Sequence, residues 1–131
     1  MLRRRLMVLD AALLGSPREL ARILVHEVFH FVWLRLGNPA RRSWERQLAS
    51  EVRRGARGEL GWSAELRKPK AVPGAAARSR LWRDYACESF CDSAACLLAA
   101  ARRGEATLAP RFRNERRRWF AALLEQPAIP I

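Results

Sequence analysis

The only two histidines of the chain lie four residues apart, in the sequence His26-Glu27-Val28-Phe29-His30. On a helix, successive residues turn by about 100°, so the two imidazoles project only about 40° apart and can reach one metal ion. Glu27 lies on the same side, where its carboxylate would contact a water on the metal without being a ligand itself. The spacing therefore predicts a metal site, and zinc is the metal that this pattern favours.

The setting of the pair strengthens this prediction. The run "ILVHEVFHFVWLRL", residues 23–36, is among the most apolar of the chain. An ionised carboxylate buried there costs several kcal/mol unless a partner compensates it, and a divalent cation would be such a partner. The alternative is a pair of hydrogen-bonded core histidines, with Glu27 reaching solvent.

A helix has to position these residues, and its ends can be read from the sequence. Ser16-Pro17-Arg18-Glu19 predicts a helix start, with Ser16 as N-cap, Pro17 at the first position and Glu19 closing a capping box. Gly37-Asn38-Pro39 predicts its end, so we place this helix at about 17–36.

Further helices are predicted at about 41–54, 79–103 and 110–125. The glycine-rich segment 55–66 is ambiguous, and "KPKAVPGAAARS", residues 68–79, predicts a loop. Only "RLMVL", residues 5–9, is a candidate strand. The sequence therefore predicts a compact, mainly α single domain, residues 1–131, with at most a small strand element.

Catalytic zinc usually keeps three protein ligands and one open position, so a third ligand has to come from elsewhere. The acidic candidates are Glu45, Glu51, Glu59, Glu65, Asp84, Glu88 and Asp92. Glu88 and Asp92 are four residues apart in the predicted helix 79–103 and share one face. Such a pair suits one ligand and one acid that holds a ligand imidazole.

The sequences "HEVFH" and "ESFCD" together resemble the gluzincins, the thermolysin-like zinc metallopeptidases, whose first helix carries HExxH and whose second carries ExxxD. The resemblance covers two helices and implies a zincin-like helical core that cleaves a peptide or protein substrate. It implies His26, His30 and Glu88 as Zn²⁺ ligands, Glu27 as the general base and Asp92 as the residue that orients His26. Glu65 remains a weaker substitute for Glu88.

The chain departs from that family in two ways. It has scarcely room for the β-sheet whose edge strand aligns the substrate in larger members. Those members also supply a downstream His or Tyr that stabilises the oxyanion, and the one tyrosine here is Tyr85. Tyr85 lies three residues before Glu88, so the resemblance allows it this catalytic role, with packing as the alternative.

The cysteines Cys87, Cys91 and Cys96 can be metal ligands as thiolates, but we favour small packing residues. An odd number of cysteines in one segment is not a disulfide framework, so we expect a reducing, cytoplasmic location. No apolar run approaches the roughly 20 residues that span a membrane. Trp62, which follows a glycine, is the tryptophan that we expect to line a substrate groove.

The chain has 25 Lys and Arg against 13 Asp and Glu, a formal charge of +12. Half of its residues are hydrophobic, which excludes an intrinsically disordered chain. The segment "RFRNERRRWF", residues 111–120, is a possible nucleic-acid contact, although we favour a solvated face with Phe112, Trp119 and Phe120 in the core. The alternative function is therefore a basic helical nucleic-acid-binding or regulatory module whose zinc is structural or vestigial.

Overall fold

The computed structural model describes residues 7–99 and 106–127. Over those ranges the regular structure consists of two short 3₁₀ turns, at Ala11–Gly15 and Val72–Gly74, and five α-helices. The helices are α1 (Pro17–Arg35), α2 (Asn38–Arg53), α3 (Trp62–Ala71), α4 (Arg80–Leu98) and α5 (Pro110–Leu124). The prediction of a mainly α, compact single domain is confirmed.

Helix α4 lies at the centre of the domain and packs most extensively against α1 and α3. Its buried residues include many with small side chains, namely Ala86, Ser89, Ser93, Ala94 and Ala95. Small side chains let helix axes approach closely, so α1 and α3 both come near the backbone of α4. This packing brings the acidic residues of α4 to the histidines of α1.

An aromatic cluster around Phe90 forms the core beneath these helices. The Phe90 ring centroid lies 5.1 Å from that of Trp33 and 5.2 Å from that of Phe120. The buried indole N–H of Trp44 donates to the Ala86 carbonyl at 3.0 Å, which fixes α2 against α4. Burying each of these large side chains stabilises the fold by about 1.5–3 kcal/mol, so the core holds the helices in a defined arrangement.

Helix α1 begins at Pro17 as its sequence suggests, but the predicted capping box does not form. The side chain of Ser16 makes no capping hydrogen bond. In a capping box the Glu19 carboxylate would accept a hydrogen bond from the Ser16 N–H. That N–H already donates to the Leu13 carbonyl at the end of the 3₁₀ turn. At the other end, the Arg41 guanidinium donates to the carbonyls of Trp33 and Leu34 at 2.9 and 2.6 Å, which satisfies acceptors that the helix end leaves open.

The loop predicted for residues 68–79 is wrong in its first part, because α3 continues through Pro69 to Ala71. Ala71 is fully buried, and Lys68 donates to the Gly58 carbonyl at 2.8 Å. These tertiary contacts outweigh the local break that a proline inside a helix favours. Helix α2 also begins earlier than predicted, because Pro39 is accommodated in its first turn.

Two predicted features lie partly outside the described residues. Helix α4 ends at Leu98, and the remainder of the predicted helix from residue 100 to 103 is not described. The candidate strand at 5–9 is described only from Met7 onward, where the backbone is irregular, and no strand occurs within 7–99 and 106–127.

Candidate metal centre

Helices α1 and α4 bring three potential ligand atoms to one point. The Nε2 atoms of His26 and His30 lie 3.2 Å apart. One carboxylate oxygen of Glu88, Oε2, lies 3.2 Å from His26 Nε2 and 3.7 Å from His30 Nε2. We refer to His26, His30, Glu88 and the adjacent Asp92 as the histidine–carboxylate group.

Asp92 holds His26 from the other side of its ring. Its Oδ1 lies 2.8 Å from His26 Nδ1, and its Oδ2 accepts the Ala64 backbone N–H at 2.8 Å in the first turn of α3. A proton on Nδ1 that is donated to Asp92 leaves the lone pair of Nε2 directed at His30 and Glu88. Asp92 thus fixes both the ring orientation and the tautomer in which His26 can bind a cation.

The position of Asp92 depends on Gly61, which sequence analysis had not singled out. A Cβ atom at Gly61 would lie 2.3 Å from Asp92 Cγ and 2.6 Å from its Oδ2. Any larger residue would displace the carboxylate from His26. Glycine is required here for space, because its φ of −164° is extended backbone that any residue adopts.

Glu88 is supported by α3 as well. The Ser63 hydroxyl donates to Glu88 Oε2 at 2.8 Å, and the Arg67 guanidinium lies 4.0 Å from Oε1. No sequence pattern indicates Ser63, because its role depends on the tertiary contact between α3 and α4. The Glu88 side chain is 17% exposed, so the group is open to solvent on one side.

The electrostatics of the group favour positive charge at its centre. Burial disfavours a charged imidazole, but hydrogen bonds to Asp92 and Glu88 outweigh it and raise the pKa of His26 to about 9. Burial also opposes ionisation of Glu88, yet hydrogen bonds from His26 and Ser63 lower the pKa of its carboxyl to about 2. A metal ion would therefore replace a proton that the site already attracts.

Glu27 lies beside the two histidines. Its carboxylate and the ligand nitrogens of His26 and His30 are all within 4.8 Å of one another. The Glu27 side chain is half-buried, at the edge of the group and not in the core. The helix thus places a carboxylate within reach of anything held between the imidazoles.

The other acidic candidates for the third ligand are engaged elsewhere. Glu45 forms an ion pair with Arg78, Asp84 one with Arg80, and both Glu51 and Glu59 pair with Arg116. Glu65, the weaker substitute, accepts a hydrogen bond from Thr107 at 3.0 Å. Glu88 is the candidate whose carboxylate oxygen meets both imidazoles.

Tyr85 does not lie at this site, which contradicts the expected catalytic role and agrees with the packing alternative. The side chain is fully buried, and its hydroxyl donates to the Glu59 carboxylate. Tyr85 lies three residues before Glu88 on α4, a rotation of about 300° around the helix axis. Its side chain therefore projects about 60° away from that of Glu88, toward the face that carries Ser89. That offset is enough to direct the ring at Glu59 and away from the histidines.

Cys87 and Cys91 of α4 lie on the opposite side of Glu88 from Tyr85 and meet His30. The ligand atoms of His30, Cys87 and Cys91 are all within 4.8 Å of one another, so these residues form a possible metal-binding group. Cys87 Sγ lies 3.6 Å from His30 Nδ1. The cysteines also pack as expected, because Cys91 is fully buried in the core and Cys87 packs against the same core.

The two thiols differ in acidity. A hydrogen bond from the Cys91 thiol and the nearby His30 imidazole both lower the pKa of Cys87. Burial raises it, but the pKa falls to about 6 on balance. Burial raises the pKa of Cys91 well above its ordinary value, and the neighbouring Cys87 adds to this. Cys87 is therefore the more acidic thiol of the pair.

The basic run 111–120 is only partly a solvated face. Phe112 and Phe120 are buried, as expected, but Arg116 is fully buried too and is unavailable to nucleic acid. Arg111, Arg117 and Arg118 are exposed.

Trp62 is 72% exposed and follows Gly61 at the start of α3, beside the Asp92 and Ser63 contacts.

Comparisons of the chain with protein-family models, curated proteins and solved structures gave no match. The resemblance to the gluzincins therefore rests on the two sequence motifs alone. Among the helices of the described ranges, none has the length and apolarity needed to cross a membrane.

Proposed function

We propose that this protein is a zinc-dependent hydrolase, a minimal gluzincin-like metallopeptidase that cleaves a peptide or related amide bond. The observation that carries the proposal is the convergence of His26, His30 and Glu88 on one point. Tetrahedral zinc with ligands at about 2.0–2.1 Å holds neighbouring ligand atoms about 3.3–3.4 Å apart. The three separations here are 3.2, 3.2 and 3.7 Å, close to that requirement.

The donor set supports zinc over harder cations. Two imidazole nitrogens with one carboxylate oxygen match the His₂Glu ligands of catalytic zinc, whereas Mg²⁺ and Ca²⁺ prefer oxygen ligands. Asp92 supplies the carboxylate that such ligand histidines usually contact through their second nitrogen. When bound, zinc would supply Lewis acidity, which polarises a substrate carbonyl and lowers the pKa of a bound water.

The residues around the proposed ligands would supply a general base and hold the ligands in place. Glu27 is the residue that we assign as general base, because its carboxylate lies beside both imidazoles and is not needed as a ligand. In an amide hydrolysis it would accept a proton from water and return that proton to the leaving amine. Asp92 and Ser63 hold His26 and Glu88 in their orientations.

The substitution Glu27→Gln tests this assignment. We expect hydrolysis of a fluorogenic peptide library to fall by about 10²- to 10⁴-fold, because the amide cannot accept a proton. Zinc content, measured on the same preparation, should stay that of the wild type. Glu19→Gln on the same helix is the matched control, since Glu19 pairs with Arg22 at the surface and should be dispensable. Activity that survives in the Glu27 variant would disprove its role as base.

A further inference from the structure

His30 presents its two ring nitrogens to two different sets of ligands. Its Nε2 faces His26 and Glu88, whereas its Nδ1 lies 3.6 Å from the sulfur of Cys87. Cys91 follows Cys87 by one helical turn on α4, and its sulfur lies within 4.8 Å of both ligand atoms. The proposed hydrolase uses neither sulfur.

We propose that His30 Nδ1, Cys87 and Cys91 form a second metal site, which binds a thiophilic d¹⁰ cation of the Cu⁺ or Cd²⁺ class. Two thiolates with one imidazole form a soft donor set, and such sets select these cations over Mg²⁺, Ca²⁺ or Mn²⁺. The inference concerns binding only and does not depend on the hydrolase activity.

The surroundings of the thiols favour this role over simple packing. Cys87 borders a cavity of about 620 Å³ that is open to the surface, so a cation has a path to the site. The cavity wall includes the arginines Arg41, Arg42, Arg78, Arg80 and Arg83. Glu45 and Asp84 also line this wall and form ion pairs with Arg78 and Arg80, so part of its positive charge is compensated on the path of an entering cation.

The two sites share one residue, and this makes them competitors. A neutral imidazole carries one proton and one available lone pair, so His30 can ligate through Nε2 or through Nδ1 but not through both. A cation held by the thiolates would therefore withdraw His30 from the histidine–carboxylate group. Occupation of one site is expected to weaken the other.

Titration of the reduced protein with Cd²⁺ alone tests the proposal, because cadmium bound to thiolate produces an ultraviolet charge-transfer band. We expect the band to saturate at one equivalent in the wild type. Cys87→Ser and Cys91→Ser should each lose at least half of its intensity and bind more weakly. Circular dichroism of each variant establishes that the helices remain.

Three further variants make the result specific. Cys96→Ser is the matched control, because Cys96 lies on the same helix but packs against Leu60 and Phe112 in a separate cluster, and the band should be unchanged. Glu88→Gln, which alters only the other group, should also keep the band. His30→Gln should weaken cadmium binding.

The outcomes are decisive. The absence of a thiolate band in the wild type, or an unchanged band in Cys87→Ser, overturns the site. An unchanged affinity in His30→Gln removes the histidine and overturns the site as stated. Loss of the band in Cys96→Ser would place the bound cadmium elsewhere.

Discussion

Two groups of carboxylates in the protein differ in where the compensating positive charge comes from. In the first, which we call the arginine cluster, Arg116 lies between Glu51 and Glu59 and donates to both carboxylates. All three side chains are at most 1% exposed. In the histidine–carboxylate group, Glu88 and Asp92 face imidazoles, and the side chains of Glu88 and His26 remain 14–17% exposed.

The difference separates a structural cluster from a candidate binding site. A guanidinium is permanently charged and has no lone pair to offer, so the arginine cluster is complete and closed. Imidazoles carry the needed positive charge only when protonated, and they bind a metal only when that proton leaves. The first arrangement holds α2, α4 and α5 together, whereas the second leaves a place for an external cation.

Removal of the positive charge of Arg116 should have the largest effect, and it should act on stability. Arg116→Met removes the guanidinium from two buried carboxylates, and we expect a loss of about 3–5 kcal/mol in the free energy of unfolding. The remaining partners, Gln47 at Glu51 and Lys68 and Tyr85 at Glu59, do not replace its bidentate contacts. Urea denaturation measures it. Arg117→Met, at the neighbouring exposed position, should stay within about 0.5 kcal/mol of wild type. Equal effects in the two variants would contradict a structural role for the cluster.

Crowding of Asp92 should have the next largest effect, and it should act on metal affinity. The added Cβ of Gly61→Ala would displace the Asp92 carboxylate, so we expect zinc affinity to fall by about 10- to 100-fold. Competition with a chromogenic chelator measures the dissociation constant. Gly15→Ala is the control, because nothing lies within 4 Å of its Cβ position. Asp92→Asn, which preserves volume, should weaken zinc binding too, and unchanged affinity in both variants would disprove the role of Asp92.

Acidification should destabilise the arginine cluster, with a smaller effect than the Arg116 substitution. Burial opposes ionisation of Glu59, but the charge and hydrogen bonds of Arg116 outweigh it and lower the pKa of this carboxyl below its ordinary 4.5. Its contribution to stability is therefore present above about pH 4.5 and is lost as the pH falls through the lowered pKa. Glu59→Gln resembles the protonated form, so its stability deficit in urea should shrink on acidification. A deficit that is constant from pH 7 to pH 3 would contradict this linkage.

The sequence predicted α1, α2, α4 and α5, but not α3, because the signals of those four helices are local. Pro17 and Pro110 mark the starts of α1 and α5. The apolar periodicity that follows each proline indicates how far its helix extends. The spacing of the histidines and of Glu88 and Asp92 predicted which residues share a face. Those calculations need only the helical repeat, and the structure places the four residues together.

The parts that the sequence could not supply depend on contacts between helices. Gly61 and Ser63 matter because α3 begins against α4, and no pattern within α3 indicates that neighbour. Tyr85 was misassigned because an offset of about 60° on α4 separates the histidines from Glu59. Arg116 resembled its exposed neighbours in the sequence, and only the position of α5 reveals that it is buried.

The most direct test of the account is the zinc content and zinc affinity of the purified protein, compared with those of Glu88→Ala and His26→Gln. Neither Glu88 nor His26 belongs to the second metal site formed by His30, Cys87 and Cys91. Glu65→Ala is the matched acidic control, because Glu65 contacts Thr107 and not the histidines. We predict about one tightly held zinc per chain in the wild type and in Glu65→Ala, and much weaker retention in the other two. A wild type that binds no zinc, or Glu88→Ala and His26→Gln variants that hold it as tightly as the wild type, would contradict the proposed metal centre.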